Sequence, residues 1–135
     1  MSRSGYMECD DFDHWAALRW RGVIASATRG KRGQAMFKEL LTALDAMPNK
    51  RLIKDDLITE TGDSCAIGAL LMHRETPEAR NMHEYNEAIA EELDVHMCIV
   101  QEVEWENDNG GWNLTPEQRW THMRTWVAKQ IKETA

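Results

Sequence analysis

Apolar residues recur at intervals of three and four along most of this chain, a period that marks helices. Phe12, Ala16, Trp20, Val23 and Ala27 keep that spacing, so one side of a first helix should face a core. Asp10, Asp11 and Asp13 precede it, and acids suit the positive end of a helix. Gly30 and Gly33 break or bend the chain at the end of this helix. Met36, Phe37, Leu40, Leu41, Leu44 and Met47 mark a second amphipathic helix, stopped before Pro48. The one place for β structure is Leu57-Ile58-Thr59, read as a short strand turned at Thr61-Gly62-Asp63, a hairpin between residues 52 and 65. A helix carrying Ile67, Leu70 and Leu71 should open near Asp63 or Ser64.

The C-terminal half repeats the helical theme. Thr76-Pro77-Glu78 reads as a helix start, with a capping hydroxyl and a proline at the first position. Met82, Tyr85, Ile89 and Leu93 supply its apolar face, and Asp94 is placed to cap a further helix carrying Val95, Ile99 and Val103. Asn109-Gly110-Gly111 ends that helix. Thr115-Pro116-Glu117-Gln118 opens the last one with the spacing of a capping box, and Trp120, Met123, Val127 and Ile131 face inward. The expected fold is all-α, with five or six helices, a short β-hairpin near 52–65, and one compact domain over residues 1–135.

Charge changes the picture more than composition does. The chain has 135 residues and a formal net charge of −7, yet from His14 to Lys38 every formal charge is positive. Arg19, Arg21, Arg29, Lys31, Arg32 and Lys38 gather there beside Trp15 and Trp20. Such cations, with indoles nearby and glycines flanking Lys31-Arg32, suit a nucleic-acid backbone and its bases. The alternative is that they pair across the fold with the acidic helices. Arg29, Lys31 and Arg32 are expected at the surface beside a glycine-rich turn, and Arg19 and Arg21 engaged with protein. The opposite block holds Glu91, Glu92, Glu102, Glu104, Glu106 and Asp108, an acidic face able to imitate phosphates toward a partner's basic groove.

Three patterns suggest chemistry. Ala90, Leu93, Val95, Val100 and Val103 outline a helix-turn-helix corner, but its second helix would aim Glu102, Glu104, Glu106 and Asp108 at phosphates. Cys65 sits near a helix N-terminus, with His73, His83 and His96 as possible bases for a Cys-dependent enzyme; packing between Ala66, Ile67, Gly68 and Ala69 is the simpler role. Glu106, Asp108, Gly110, Gly111 and Glu117 approach the offsets of a calcium loop, and a polar helix-to-helix turn is the simpler explanation. No histidine pair at i,i+4 comes with a third ligand, so no metal and no cofactor is expected. No apolar run reaches the roughly 20 residues that cross a bilayer, and the first fifteen residues have no apolar signal core. A cytoplasmic protein with reduced thiols, not bound to membrane, is the expectation.

Several longer segments add a resemblance. Arg19-Trp20-Arg21-Gly22, Arg29-Gly30-Lys31-Arg32-Gly33-Gln34-Ala35, the run from Ala43 to Ile53, Cys65 to Ala69, Glu106-Asn107-Asp108 with Gly110-Gly111-Trp112, and Thr115 to Val127 together resemble an uncharacterised family of small bacteriophage- and prophage-encoded proteins. Cys65 to Leu70 followed by Trp105, Asn107 and Asp108 also resembles a small bacterial domain of unknown function. These resemblances imply a viral setting and no activity. The expected function is that of a phage-encoded accessory protein that binds host machinery or a host defence system. A nucleic-acid-binding protein using residues 19–38 and an enzyme built on Cys65 are the alternatives.

Overall fold

The computed structural model describes residues 14–82 and 85–132, with side chains from Leu18 onward. Among them are six α-helices: α1 (His14–Arg29), α2 (Lys31–Ala46), α3 (Ala66–His73), α4 (Asn86–Leu93), α5 (Met97–Asn109) and α6 (Pro116–Gln130). A 3₁₀ helix spans Ala79–Met82. The fold is all-α. The expected hairpin contracts to one antiparallel bridge, Ile58 with Ser64, turned at Gly62, whose φ of 90° favours glycine.

α3 is the innermost element. Ala66 to Leu71 are all buried, as a helix apolar on every side must be. It packs between α2 and α5, while α6 covers the other side of α2. Phe37, Leu40 and Leu44 of α2 and Met123 and Val127 of α6 are wholly buried, with Trp120 and Ile131 packed at the edge. Phe37 meets the Trp126 ring edge-on at 5.9 Å between centroids, a favoured aromatic geometry. The second amphipathic helix and the last helix are therefore as the period predicts, and the Thr115–Gln118 capping box is present.

Several starts and faces differ from the sequence reading. α1 turns Trp20, Ile24, Ala27 and Thr28 inward and leaves Val23 42% exposed. The cause is Gly33: a Cβ there would lie 2.1 Å from the Ala27 carbonyl oxygen, so α2 crosses hard against that side of α1. Gly33 thus sits inside α2, and the break falls at Gly30 alone. Thr76-Pro77-Glu78 opens no α-helix. Glu78, which would be the second residue of that helix, has φ 61°, and a left-handed residue does not fit inside the first turn of a right-handed α-helix. A 3₁₀ helix comes next instead, and Tyr85, 63% exposed, precedes α4 rather than facing the core.

Asp94 does not cap α5. It ends α4 at φ 54°, ψ 50°, and Val95 N–H donates to Ala90 O at 3.1 Å while Asp94 N–H donates to Glu91 O at 3.2 Å. That is a Schellman ending with aspartate where glycine is usual. His96 caps α5, its Nδ1 accepting from Cys98 N–H at 3.0 Å. Phe12, the three aspartates around it, His83 and the side chains of Trp15 and Ala16 lie outside the described residues.

The loop from Met47 to Cys65 carries no regular structure and is held by two buried polar residues. Asn107, 2% exposed, accepts from Ala66 N–H at 3.0 Å through Oδ1 and donates to Ile53 O at 2.9 Å through Nδ2. Arg119, 7% exposed, donates to the carbonyls of Asn107, Leu52 and Leu114 at 3.1, 3.3 and 3.3 Å. One thus ties the loop to the start of α3, and the other ties it to the end of α5.

Candidate functional site: two charged faces

α1 and α2 meet at one extended residue, Gly30 (φ −67°, ψ 161°). Arg29 closes one helix and Lys31 and Arg32 open the next, so three cations flank a single elbow. All three are exposed, as expected. Lys38 is exposed seven residues beyond Lys31, and two helical turns put both on one side of α2. Arg19 and Arg21 are exposed as well, contrary to the expectation that protein would engage them. α1 meets the body through Trp20, Ile24 and Ala27, and arginines off that stripe point to water.

Among the described residues, pairing accounts for little of this charge. Among the described residues the six cations make one ion pair, Arg32 Nη1 to Asp94 Oδ1 at 3.2 Å, with side chains 66% and 77% exposed. An exposed pair of this kind contributes about 0–1 kcal/mol. Trp20 packs against the core, so its indole is not an open platform for a base.

The acidic block divides. Glu91 and Glu92 are exposed on α4, with Glu87 beside them and Asp94 at its end. Arg74 steadies this helix by donating to Glu92 O at 2.8 Å while pairing with Glu39 at 3.3 Å. Glu102, Glu104, Glu106 and Asp108 belong to α5, which packs on α1, α3, α4 and α6. Glu104 is 3% exposed, and Glu102, Glu106 and Asp108 are half-buried. Burial, and then the neighbouring Glu106, pushes the Glu102 carboxyl up to about 7. Glu106 lies 3.5 Å from His122, and Asp108 accepts from Asp55 N–H at 3.1 Å. The open acidic surface is therefore α4, and the expected face narrows to Glu91 and Glu92.

The helix-turn-helix corner forms, with Ala90, Leu93, Val95, Val100 and Val103 all buried. Its second helix, α5, is packed by four neighbours and cannot enter a groove. Cys65 is buried at the start of α3, where its Sγ accepts from Gly68 N–H at 3.4 Å. A Cβ on Gly68 would lie 2.1 Å from Leu57 O, so the loop rests directly on this turn. His73 stands at the far end of α3, about 12 Å along the axis from Cys65 at 1.5 Å per residue. His96 uses its Nδ1 in the α5 cap. Glu106 and Asp108 are inside α5 and Glu117 is inside α6, so no continuous calcium loop exists. Among the described residues, no group of three or more His, Cys, Asp or Glu is placed to hold a metal.

Sequence reasoning passes over Asn107 and Arg119. Asparagine near a helix end and an arginine one turn after a proline cap look like surface residues. Their burial depends on a loop returning from more than fifty positions away. Among the described residues no helix is long and apolar enough to cross a membrane. In comparisons with known proteins the chain matches no family model, no curated protein and no solved structure.

Proposed function

We propose that this is a small phage-encoded accessory protein that acts by binding, in the host cytoplasm, with a host protein or complex as partner. The modulated target is host machinery or a host defence system. The viral setting rests on the sequence resemblance. The observation that carries the binding reading is the elbow at Gly30: Arg29, Lys31 and Arg32 flank it and stand in water, with one exposed ion pair to them among the described residues. Like charges gathered on one surface repel each other, and an acidic partner relieves that repulsion and accelerates encounter. α4, acidic and exposed across the Arg32–Asp94 contact, gives the surface a polarity that fixes a partner's orientation.

A photo-crosslinking residue placed at Lys31 or Lys38, in cells carrying the phage, tests this reading. The expected product is one host protein joined at both positions and absent when the residue is moved to Pro48. Products that are the same from all three positions refute it.

Nucleic-acid binding is a second reading, favoured by the same exposed cations. The core-packed Trp20 and the acidic α4 at the edge of the patch weigh against it, because carboxylates repel phosphates. Retention of DNA or RNA that falls steeply with salt and vanishes when Arg29, Lys31 and Arg32 are changed to glutamate would put this reading first. A Cys65-dependent enzyme has the least support: the thiol is buried and caps α3.

A further inference from the structure

The exposed side of α2 is a spaced row. Lys31, Ala35, Lys38 and Thr42, at i, i+4, i+7 and i+11, all face solvent, and that spacing keeps them on one side of a helix. α4 carries the opposite row: Glu87, Glu91 and Asp94, at i, i+4 and i+7, are exposed, with Ala88 beside them. Seven residues at 1.5 Å each put Lys31 and Lys38 about 10.5 Å apart, and the same step separates Glu87 from Asp94. Ala35 lies between the two lysines, and a methyl group there lets another helix come close.

Side chains join the two rows within one copy of the chain. Arg32 Nη1 donates to Asp94 Oδ1 at 3.2 Å, and Arg74 pairs with Glu39 at 3.3 Å while donating to Glu92 O at 2.8 Å. The chain advances from Arg32 to Glu39 on α2 where it goes back from Asp94 to Glu92 on α4, so the helices run in opposite senses on either side of this seam. One side of the seam is basic and the other acidic, and both are open to solvent.

We propose that the seam follows the two-fold axis of a dimer, in which α2 of each copy lies over α4 of the other. Half a turn about a line along the seam exchanges its two sides and keeps position along it, so the basic row of each copy meets the acidic row of the other. The register follows from the same rotation. Lys31 comes to the Asp94 end of the opposite α4 and Lys38 to the Glu87 end, and the equal spacings let both pair at once. Charge selects this arrangement over others. Each copy carries −7, so two copies repel unless the basic block of one meets acids of the other. Exposed ion pairs contribute little singly, which makes the dimer weak and salt-sensitive. The same lysines face the host partner of the proposed function, so the two occupants exclude one another; the purified chain alone tests the dimer, separately from that reading.

Sedimentation velocity from about 1 μM to about 1 mM chain tests it, run at about 0.01 M and at about 1 M salt, where the screening length falls from roughly 30 Å to roughly 3 Å. The wild type is expected to dimerise at low salt and stop at two copies, as a closed contact must, and to lose about tenfold or more in affinity at high salt. Lys31→Glu/Lys38→Glu and Glu87→Lys/Glu91→Lys each set like charges opposite one another in their own dimers. Each should weaken association by about tenfold or more while circular dichroism stays that of the wild type. An equimolar mixture of the two variants restores opposite charges at both contacts and should dimerise as the wild type does. A wild type that is monomeric at low salt overturns the proposal. So does association that salt strengthens or leaves unchanged, either double variant dimerising as the wild type does, or a mixture that stays monomeric.

Discussion

Replacing Asn107 tests how the irregular loop is held. Its Oδ1 accepts from Ala66 N–H at 3.0 Å and its Nδ2 donates to Ile53 O at 2.9 Å. Ala66 is completely buried. Asn107→Ala leaves one buried amide and one carbonyl without their partner. Each unsatisfied group costs about 1–3 kcal/mol, so a loss of about 2–5 kcal/mol is expected, with the lower end reached if water enters the space. At this chain length each kcal/mol is worth roughly 3–5 °C, which puts the melting temperature lower by roughly 6–25 °C. Asn107→Asp separates the two bonds. The acceptor toward Ala66 survives, but an oxygen now faces the Ile53 carbonyl, and the Asp108 carboxylate lies next to it. Burial and that neighbour raise the new carboxyl's pKa in the folded state. A raised carboxyl pKa means the variant is least impaired at acid pH, where a protonated oxygen can donate to Ile53, and loses stability as pH rises. Urea titrations of both variants at acid and neutral pH supply the assay. A loss below about 1 kcal/mol for Asn107→Ala, or pH-independent behaviour of Asn107→Asp, would refute the assignment of Asn107 as the clasp between the loop and α3.

Leu40→Ala removes a wholly buried side chain and should cost about 2–5 kcal/mol in denaturant titration. Gly33→Ala places a Cβ 2.1 Å from a backbone oxygen of α1; despite alanine's better helix propensity, calorimetry should show a lower melting temperature, a loss of about 1–3 kcal/mol. Cys65 and Cys98, both 0% exposed, should resist iodoacetamide in the native protein near neutral pH and react once it is unfolded. Burial also raises the Cys98 thiol pKa. Glu102, raised to about 7 first by burial and then by Glu106, holds its proton more tightly folded than unfolded. Stability should therefore fall as pH rises from about 4.5 to about 7. Glu102→Gln should remove that fall, worth about 1–2 kcal/mol after discounting for the solvent-open part of the side chain.

What the sequence reveals and what it hides have physical causes. α2 and α6 are legible because one side of each is buried along its full length, so periodicity reports burial directly. The capping box at Thr115 is a local device, complete within four residues. The period is right for Trp20 and Ala27 on the inner face of α1 and misses between them, where α2 crossing close at Gly33 leaves Ile24 inward and Val23 exposed. The sequence pattern puts Asp94 at the wrong helix end. An aspartate can accept at an N-terminus or adopt the left-handed turn at a C-terminus, and only the path of the chain decides. The cation cluster is visible in composition, but its exposure is not, because pairing with the acids depends on where α5 lies. α5 goes inside and takes Glu104 with it, which leaves the basic elbow without those partners.

Side-by-side capture from phage-infected cells on the wild-type chain and on the Arg29→Glu/Lys31→Glu/Arg32→Glu variant, with bound protein and nucleic acid both quantified, tests the binding face most directly. The expected result is one host protein held by the wild type and lost from the variant. The two chains should melt within a few degrees of each other, because among the described residues only the Arg32–Asp94 pair is broken. Equal recovery of that protein on both baits, or a wild-type catch that nuclease releases, would contradict it.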